Sequence, residues 1–455
     1  CISVFQHEHD NNILQTVEGS RRLKYNKQLN HLELFSQNQI LTSKQTSRTI
    51  TTTIMSTLKY NDGATQFRLR LACAILSHRP LLLRNIRPDD LSSPGLREHE
   101  ISFLRLLDTL TNGTTIEINT TGTQLRFVPG VLLGCDGGEH LCPKSRGVGY
   151  FMEGILPLVM FGKGSFEMTF RGVTEGCTQD MTVDYISSSV LPLLSKFGVG
   201  ANEDFGGAPH LKIHKRAAAP KVPNDNPSDL GAVTLYCPQL TTLSIIDFVD
   251  PGFVKRIRGV SSSTKLNPTS SSRASHAAKG VLHKLLPDVW IHTDAAKKGG
   301  SSKNGGVTPS LSVTLWAEST TGVVLSHPSL SLNTGPSKSK SGKPELPEDL
   351  GQRAALHLLH EVQCGGCVDT TAQSLVLLLM CLTPEDVSRV RLGTLSPYSV
   401  LALRLFKEVF QVEFQITTNT NKQQGGNDDD TEEMDKTILM SCLGSGYRNM
   451  TKAST

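Results

Sequence analysis

From residue 63 onward the chain passes through one order of elements three times, and that recurrence restricts the fold more than any single motif does. An apolar helix pattern over 67–76 leads into a strand at 81–83 that ends at the turn Arg87-Pro88. A second helix pattern follows Pro94-Gly95, with Ile101, Leu104, Leu107 and Leu110 at helical spacing on one face. Residues 114–118 and 124–127 then read as paired strands about a turn at Gly122. The order returns as a helix (148–161), a strand (165–170), a helix (181–197) and strands near 209–214 and 232–236. It returns again over 370–382, 388–393, 399–410, 411–417 and 437–442, preceded by an extra helix at 347–363. This pattern predicts an α/β (α+β) fold of three repeated βαβ-type units packed as one core.

The interval 241–335 breaks the order. It carries Ser261-Ser262-Ser263 and Ser270-Ser271-Ser272, a flexible run at 297–306, a helix pattern over 274–286 and strand patterns over 289–293 and 310–317. Such a segment predicts a small inserted α/β domain, left through the Ser/Lys/Gly-rich linker 335–342. The chain then divides into an extension (1–55), core units one and two (56–240), the insert (241–335) and core unit three (336–455). Residues 1–54 are rich in Asn, Gln, Ser and Thr, and the first methionine is Met55, so they read as a disordered extension or a translated leader. The cluster Arg21, Arg22, Lys24 and Lys27 within them has the charge of a nuclear address. The acidic run 428–435 lies between two strand patterns and reads as a solvated hairpin loop.

With 38% apolar and 19% charged residues the chain reads as soluble and globular, and a net charge of +4 makes any nucleic-acid surface local. Its best apolar run, 375–382, is far short of the ~18 residues a membrane helix needs. Ten cysteines without the dense spacing of a secreted scaffold read as reduced and buried, which favours the cytosol or nucleus.

Several short motifs carry a family resemblance. They are Ser93-Pro94-Gly95-Leu96-Arg97, Thr111-Asn112-Gly113, Phe127-Val128-Pro129-Gly130 and Phe253-Val254-Lys255-Arg256-Ile257-Arg258-Gly259. To these are added Leu346-Pro347-Glu348-Asp349-Leu350-Gly351, Gly366-Cys367-Val368-Asp369, Leu395-Ser396-Pro397-Tyr398 and Gly444-Ser445-Gly446-Tyr447. Together they resemble the RNA 3′-terminal phosphate cyclase superfamily over roughly 56–455, and within it the non-catalytic, cyclase-like branch of small-subunit ribosome biogenesis. The resemblance implies a core of three repeated α/β units with one small inserted domain. It also implies a non-enzymatic factor, without cofactor, that supports early pre-rRNA processing and small (40S) subunit assembly. The expected partners are a ribosome-biogenesis GTPase, pre-rRNA and the small-subunit processome. The expected setting is the nucleolus within the nucleus, the chain being a monomer inside a larger complex.

Three departures from the enzymes carry the non-catalytic expectation. Tyr398 stands where a cyclase has the histidine that takes AMP from ATP, and a phenol of reference pKa about 10 stays protonated near neutrality where an imidazole does not. The cyclase glycine-rich loop before the first helix is reduced to Asn61-Asp62-Gly63-Ala64-Thr65-Gln66, whose side chains hinder close approach of a phosphate. The family's Arg-Gly-x-x-Pro signature and glycine triplet become Lys215-Arg216-Ala217-Ala218-Ala219-Pro220 and Leu230-Gly231-Ala232. The alternative functions are an endoribonuclease cleaving pre-rRNA or a residual ATP-dependent cyclase; both require a general base that the sequence does not nominate.

Candidates for RNA or partner binding are Arg68, Arg70, Arg87 and Arg97, with Arg84 beside them, and the cluster Lys255, Arg256 and Arg258. Arginine suits phosphate because its planar fork donates two parallel hydrogen bonds. In the second cluster alternation places Lys255 with Ile257 on one face, and Arg256 with Arg258 on the other. Cys364-Gly365-Gly366-Cys367 reads as a helix end capped by glycine rather than as a redox or zinc pair. Cys135, His140 and Cys142 fit no common zinc spacing, no metal is expected, and His357 and His360 read as helix surface.

Overall fold

The computed structural model describes residues 56–177, 179–201, 207–218, 230–295, 309–327, 330–333, 346–418 and 437–449. The readings made for 1–55, for the runs 297–306 and 428–435 and for the linker 335–342 lie outside them. The architecture is mixed α/β with several small mixed sheets.

The first sheet is built from β1 (Leu58–Tyr60), α1 (Phe67–Ser77), β2 (Leu81–Leu83), α2 (Glu98–Leu110), β3 (Thr111–Asn112), β4 (Thr115–Ile118) and β5 (Leu125–Val128); β3 pairs with β6 (Val131–Leu132) as a separate ribbon. Its strand order is β1-β2-β5-β4, parallel for the first pair and antiparallel for the rest. The second contains β7 (Asp136–Leu141), α3 (Val148–Val159), β8 (Phe166–Gly172), α4 (Val183–Tyr185), a π-helical turn (Ile186–Val190), α5 (Leu191–Lys196), β9 (His210–Lys215) and β10 (Gly231–Cys237). Its order is β7-β8-β10-β9, again with one parallel pair followed by two antiparallel ones.

After β11 (Asp247–Phe248) the chain leaves the core for β12 (Val254–Thr264), α6 (Pro268–Leu282), β13 (Val289–Ala295), β14 (Ser310–Ser319), β15 (Val324–Ser326) and β16 (Leu330–Asn333), which form one five-stranded sheet with a helix. Then come α7 (Pro347–Cys364), α8 (Gln373–Leu382), β17 (Val387–Leu392), α9 (Pro397–Phe410), β18 (Phe414–Thr418) and β19 (Ile438–Leu443). The third core sheet runs β11-β17-β19-β18 with β11 parallel to β17, so in each core sheet the strands lie in the order first, second, fourth, third.

Two boundaries differ from the sequence reading. β11 lies inside the interval assigned to the insert, yet pairs with β17 of the third sheet; two residues are too short to show a strand period. The extra helix assigned to unit three, α7, packs with the insert. Its Leu350, Ala354, Ala355 and Leu358 share a buried cluster with Ala274, Ala278 and Leu282 of α6 and with Ile257, Leu311 and Leu315 of the sheet. Gly351 permits this approach, because a Cβ there would lie 2.1 Å from the backbone oxygen of Ala274. Within the insert's serine runs, Ser261 and Ser271 exchange hydrogen bonds of 3.1 and 2.6 Å through their hydroxyls and carbonyls, both fully buried.

The large core gathers Phe67, Phe103, Phe127, Phe151 and Phe170 with almost the whole of α8, whose SLVLLLMCL run has no polar face to present. A helix apolar on all sides is stable only when surrounded, and α8 is packed between α3, α9 and β19. No described helix is long and apolar enough to cross a membrane. The described cysteines are free thiols, with Cys73, Cys142, Cys237, Cys367, Cys381 and Cys442 buried.

Candidate functional site

The run Leu395–Tyr398 becomes the start of α9. Ser396 is the N-cap and its hydroxyl accepts from the Ser399 N–H at 3.1 Å, while Pro397 fills the first helical position, where no N–H is needed. Gln373 braces this turn: its Oε1 accepts from Ser396 N–H at 3.1 Å and from the Ser399 hydroxyl at 3.0 Å. The brace fixes Tyr398 at the rim of a cleft of about 320 Å³, lined also by Arg68, Glu153, Asp180, Thr370, Thr371 and Ser374. These come from the first core sheet's α1, the second's α3 and the segment before its α4, and the third's α8 approach.

Tyr398 is 40% exposed, and among the described residues its hydroxyl has no hydrogen-bond partner. Desolvation first, then the negative charge of Glu153, push its phenol up to about 12, with Arg68 pulling the other way. The cleft's carboxylates are committed. Glu153 holds Arg68 at 2.8 Å, and Asp180 takes both Arg146 Nε at 2.9 Å and Gly147 N–H at 2.8 Å. Arg68 also donates to the Tyr150 carbonyl at 2.5 Å and stacks on the Tyr150 ring, 4.1 Å from its centroid. The cleft therefore offers hydroxyl groups and neutralised ion pairs, without a base aimed at the phenol.

The shortened glycine loop is closed in a related way. Gly63 sits against strand β2, where a Cβ would lie 2.6 Å from Ile86 Cγ1 and 2.8 Å from the Arg84 oxygen, so this glycine serves packing. Gln66 takes φ +48 at the N-cap of α1 and donates its amide to the Tyr398 carbonyl at 3.1 Å. That bond links the N-terminus of α1 to that of α9.

The structure redistributes the binding candidates. Arg70 is buried and grips Asp62 with two bonds of 2.9 and 3.0 Å, stacked on Tyr60. Arg87 pairs with buried Glu100, which also accepts from Arg97 N–H at 2.8 Å to cap α2; Arg97 itself pairs with Asp90 at 2.6 Å. Arg256 pairs with Glu318 through its Nε at 2.6 Å, and Arg258 with Asp288 at 2.8 Å. Their forks are occupied by carboxylates, which sequence cannot show because the partners lie far along the chain or across a turn. Lys255 stands apart, exposed at a bulge between Val254 and Arg256; the bulge takes it off the face of buried Ile257, on which alternation had placed it. Only Arg68 among the seven lines the Tyr398 cleft. Arg84 is exposed.

The remaining motifs resolve locally. Gly365 ends α7 with φ +70 and donates its N–H to the Val362 carbonyl at 3.2 Å, as a capping reading requires, while Cys367 N–H donates to the Arg391 carbonyl of β17 at 2.8 Å. His140 is half-buried against Phe151 and Phe170, lies 3.1 Å from the Ser102 hydroxyl, and is pushed down to about 4 by desolvation. His357 is half-buried rather than on the helix surface, its ring 4.4 Å from that of His327.

One residue the sequence reading passed over is Arg216. It binds Asp184 with two bonds of 2.7 Å, Asp294 at 2.8 Å and Glu175 at 3.4 Å, and so joins the second core sheet's connections to strand β13 of the insert. Glu175, 2% exposed, accepts further from Thr264 at 2.7 Å. The only signal was its place in the run 215–220, read as an altered ligand loop; Ala217 and Ala218 there are buried, and 219–229 lie outside the described residues.

Comparison with known proteins gives a consistent answer. The model of the RNA 3′-terminal phosphate cyclase family matches residues 60–416. A probable RNA 3′-terminal phosphate cyclase-like protein of Dictyostelium discoideum is 40% identical over 399 residues, 86% of this chain and 98% of that protein. The human RNA 3′-terminal phosphate cyclase-like protein is 41% identical, covering 86% of this chain and 96% of its own. The rRNA processing protein rcl1 of Schizosaccharomyces pombe is 36% identical over 87% of this chain and 98% of its own.

Proposed function

This chain belongs to the family of RNA 3′-terminal phosphate cyclase-like proteins, and we propose that it acts as a non-enzymatic factor in ribosome biogenesis, supporting early pre-rRNA processing and 40S assembly. The observation that carries the proposal is Tyr398: a phenol pushed up to about 12, with no base bonded to it, holds the place of the cyclase nucleophile. An attacking group needs its lone pair free near neutrality, and here both burial and Glu153 favour the protonated form. The Gln66 bond between α1 and α9 supports the same reading. A nuclease would need an acid and a base at the scissile phosphate, and the cleft's Glu153 and Asp180 are both held by arginines. The role in rRNA processing, and with it a nuclear and nucleolar setting, is carried over from the yeast relative's name. The shared strand order of the three core sheets supports their origin as copies of one unit. A GTPase partner and the small-subunit processome complete the proposal; the rigid α/β frame serves there as a platform.

Incubation with labelled ATP and magnesium tests the chemistry. The expected result is no covalent AMP; labelling that disappears in Tyr398→Phe overturns the non-enzymatic reading. Affinity purification from cell extract tests the role. Recovery of a GTPase with small-subunit precursors is expected, and their absence from a soluble, folded preparation counts against it.

A further inference from the structure

The outward side of the second core sheet carries an aromatic and basic cluster along its edge strand. On edge strand β9, Leu211 and Ile213 pack against the core while His210, Lys212 and His214 are exposed on the opposite face. The register sets Tyr236 of β10 opposite His210, and Thr234 opposite Lys212. The His210 and Tyr236 rings lie 4.9 Å apart at 30° between their planes, forming a two-ring shelf on the sheet. His214 Nε2 sits 2.9 Å from the Thr234 hydroxyl, which also bonds Thr169 at 2.7 Å, so the imidazole is tethered beside the shelf. Each core sheet carries an outward ion pair: Arg126 with Glu117 at 2.9 Å in the first, Arg171 with Glu139 in the second, on strands β8 and β7 away from β9, and Arg389 with Asp247 at 2.6 Å in the third. Lys212 makes no ion pair among the described residues.

We propose that the outward face of β9 and β10 binds single-stranded RNA, with a base stacked on the His210–Tyr236 shelf and the phosphate backbone passing Lys212 and His214. A single strand exposes the flat faces of its bases, which stack on aromatic rings, while a duplex hides them in its own stack. Lys212 and the imidazoles beside it on one edge strand match a backbone running along it, and the outward His, Lys and Thr residues lack the apolar centre of a protein interface. The preference for RNA over DNA rests on the rRNA-processing reading above.

The test is fluorescence anisotropy of the full chain with a short, unstructured, labelled RNA and with an RNA duplex of equal length. Tyr236→Ala and His210→Ala each weaken single-strand binding about tenfold. Tyr236→Phe keeps the ring and the affinity, and so separates stacking from misfolding. Lys212→Glu weakens binding and lowers the slope of affinity against salt by about one phosphate contact. Lys59→Glu, exposed on the first core sheet, leaves binding unchanged. Three outcomes overturn the assignment: no single-strand binding by the parent chain, equal binding by all variants, or a duplex held as tightly as a single strand. The platform and the cellular role fail separately. Variants that bind RNA like the parent, in a chain that still restores pre-rRNA processing to depleted cells, remove the platform alone. A parent chain that restores nothing while its variants lose RNA removes the cellular role alone.

Discussion

The Arg216 junction and the Tyr398 cleft are both polar centres where separate parts of the chain meet, and they are built on opposite plans. At the junction one guanidinium, 10% exposed, faces three carboxylates of which Glu175 is 2% exposed, and the hydroxyl of Thr264 adds another bond. At the cleft, Tyr398 remains 40% exposed beside hydroxyl-bearing residues and about 320 Å³ of open space. The first plan ties the guanidinium and the buried Glu175 to protein partners and leaves only Asp294 partly exposed. The second keeps a cavity, with a phenol at its rim that bonds to no partner among the described residues. A polar cluster is therefore read by its exposure and saturation, and the charges present do not by themselves make it a site.

The comparison breaks most visibly at Arg216. Its removal leaves a carboxylate in a buried position with no counter-charge, a change that costs about 3–5 kcal/mol when one partner of a buried pair is deleted. Arg216→Ala is expected to lower stability in urea unfolding by about 3 kcal/mol, discounted for the partial exposure of Asp294. Arg216→Lys recovers only part, because a point charge cannot reproduce the two parallel bonds to Asp184. A loss under about 1 kcal/mol places the junction among ordinary surface pairs and removes the contrast.

Asp369 sharpens the comparison at an intermediate scale. It lies on the segment between the two centres, 2% exposed, accepting from Tyr185 at 2.5 Å, Ser189 at 2.9 Å and Ala372 N–H at 3.0 Å. Desolvation wins over these donors and holds its carboxyl at about 6, above its ordinary 3.8. The folded state then binds more protons than the unfolded one between those values. Stability from this group is present at low pH, falls as pH rises from about 4 to about 6 at up to about 1.4 kcal/mol per unit, and is flat above. Asp369→Asn cancels that slope. The difference in stability between parent and variant is expected to shift in the parent's favour as pH drops from neutrality to about 5. A difference independent of pH shows Asp369 to be ionised throughout.

Much of the frame was legible in the sequence because it rests on periodicity. The helix over 67–76, the second-unit elements and α9 all appear where apolar spacing puts them, α9 starting two residues before the predicted 399. The short strands β7 and β11 carried no period, and β12 was marked by its basic residues alone, though it is the 11-residue spine of the insert. α7 was found as a helix but placed in the wrong body, since its apolar stripe says that it packs and not against what. At the site, Tyr398 was singled out in the sequence, and the structure sets it at the rim of the cleft. The pairing of the arginines was not legible, because an unpaired and a paired guanidinium look alike until the carboxylate opposite is known. Asp62 and Asp90 are near neighbours in sequence, while Asp288 and Glu318 come from other strands' ends.

The smallest expected effect is at Tyr398 itself, and it distinguishes a vacated site from a working one. If the phenol only borders the cleft, Tyr398→Phe removes a hydroxyl without a partner among the described residues and changes stability by less than about 0.5 kcal/mol. Tyr398→His restores an imidazole at the same rim, yet Glu153 and Asp180 stay bound to arginines and Gln66 still ties α1 to α9. An imidazole alone therefore gains no AMP from labelled ATP, and the double change Gln66→Gly with Tyr398→His is the more demanding trial. Adenylation by the single variant shows that the frame kept its nucleotide pocket and lost only the nucleophile. Absence in both, with folding intact, shows that the pocket closed along with it.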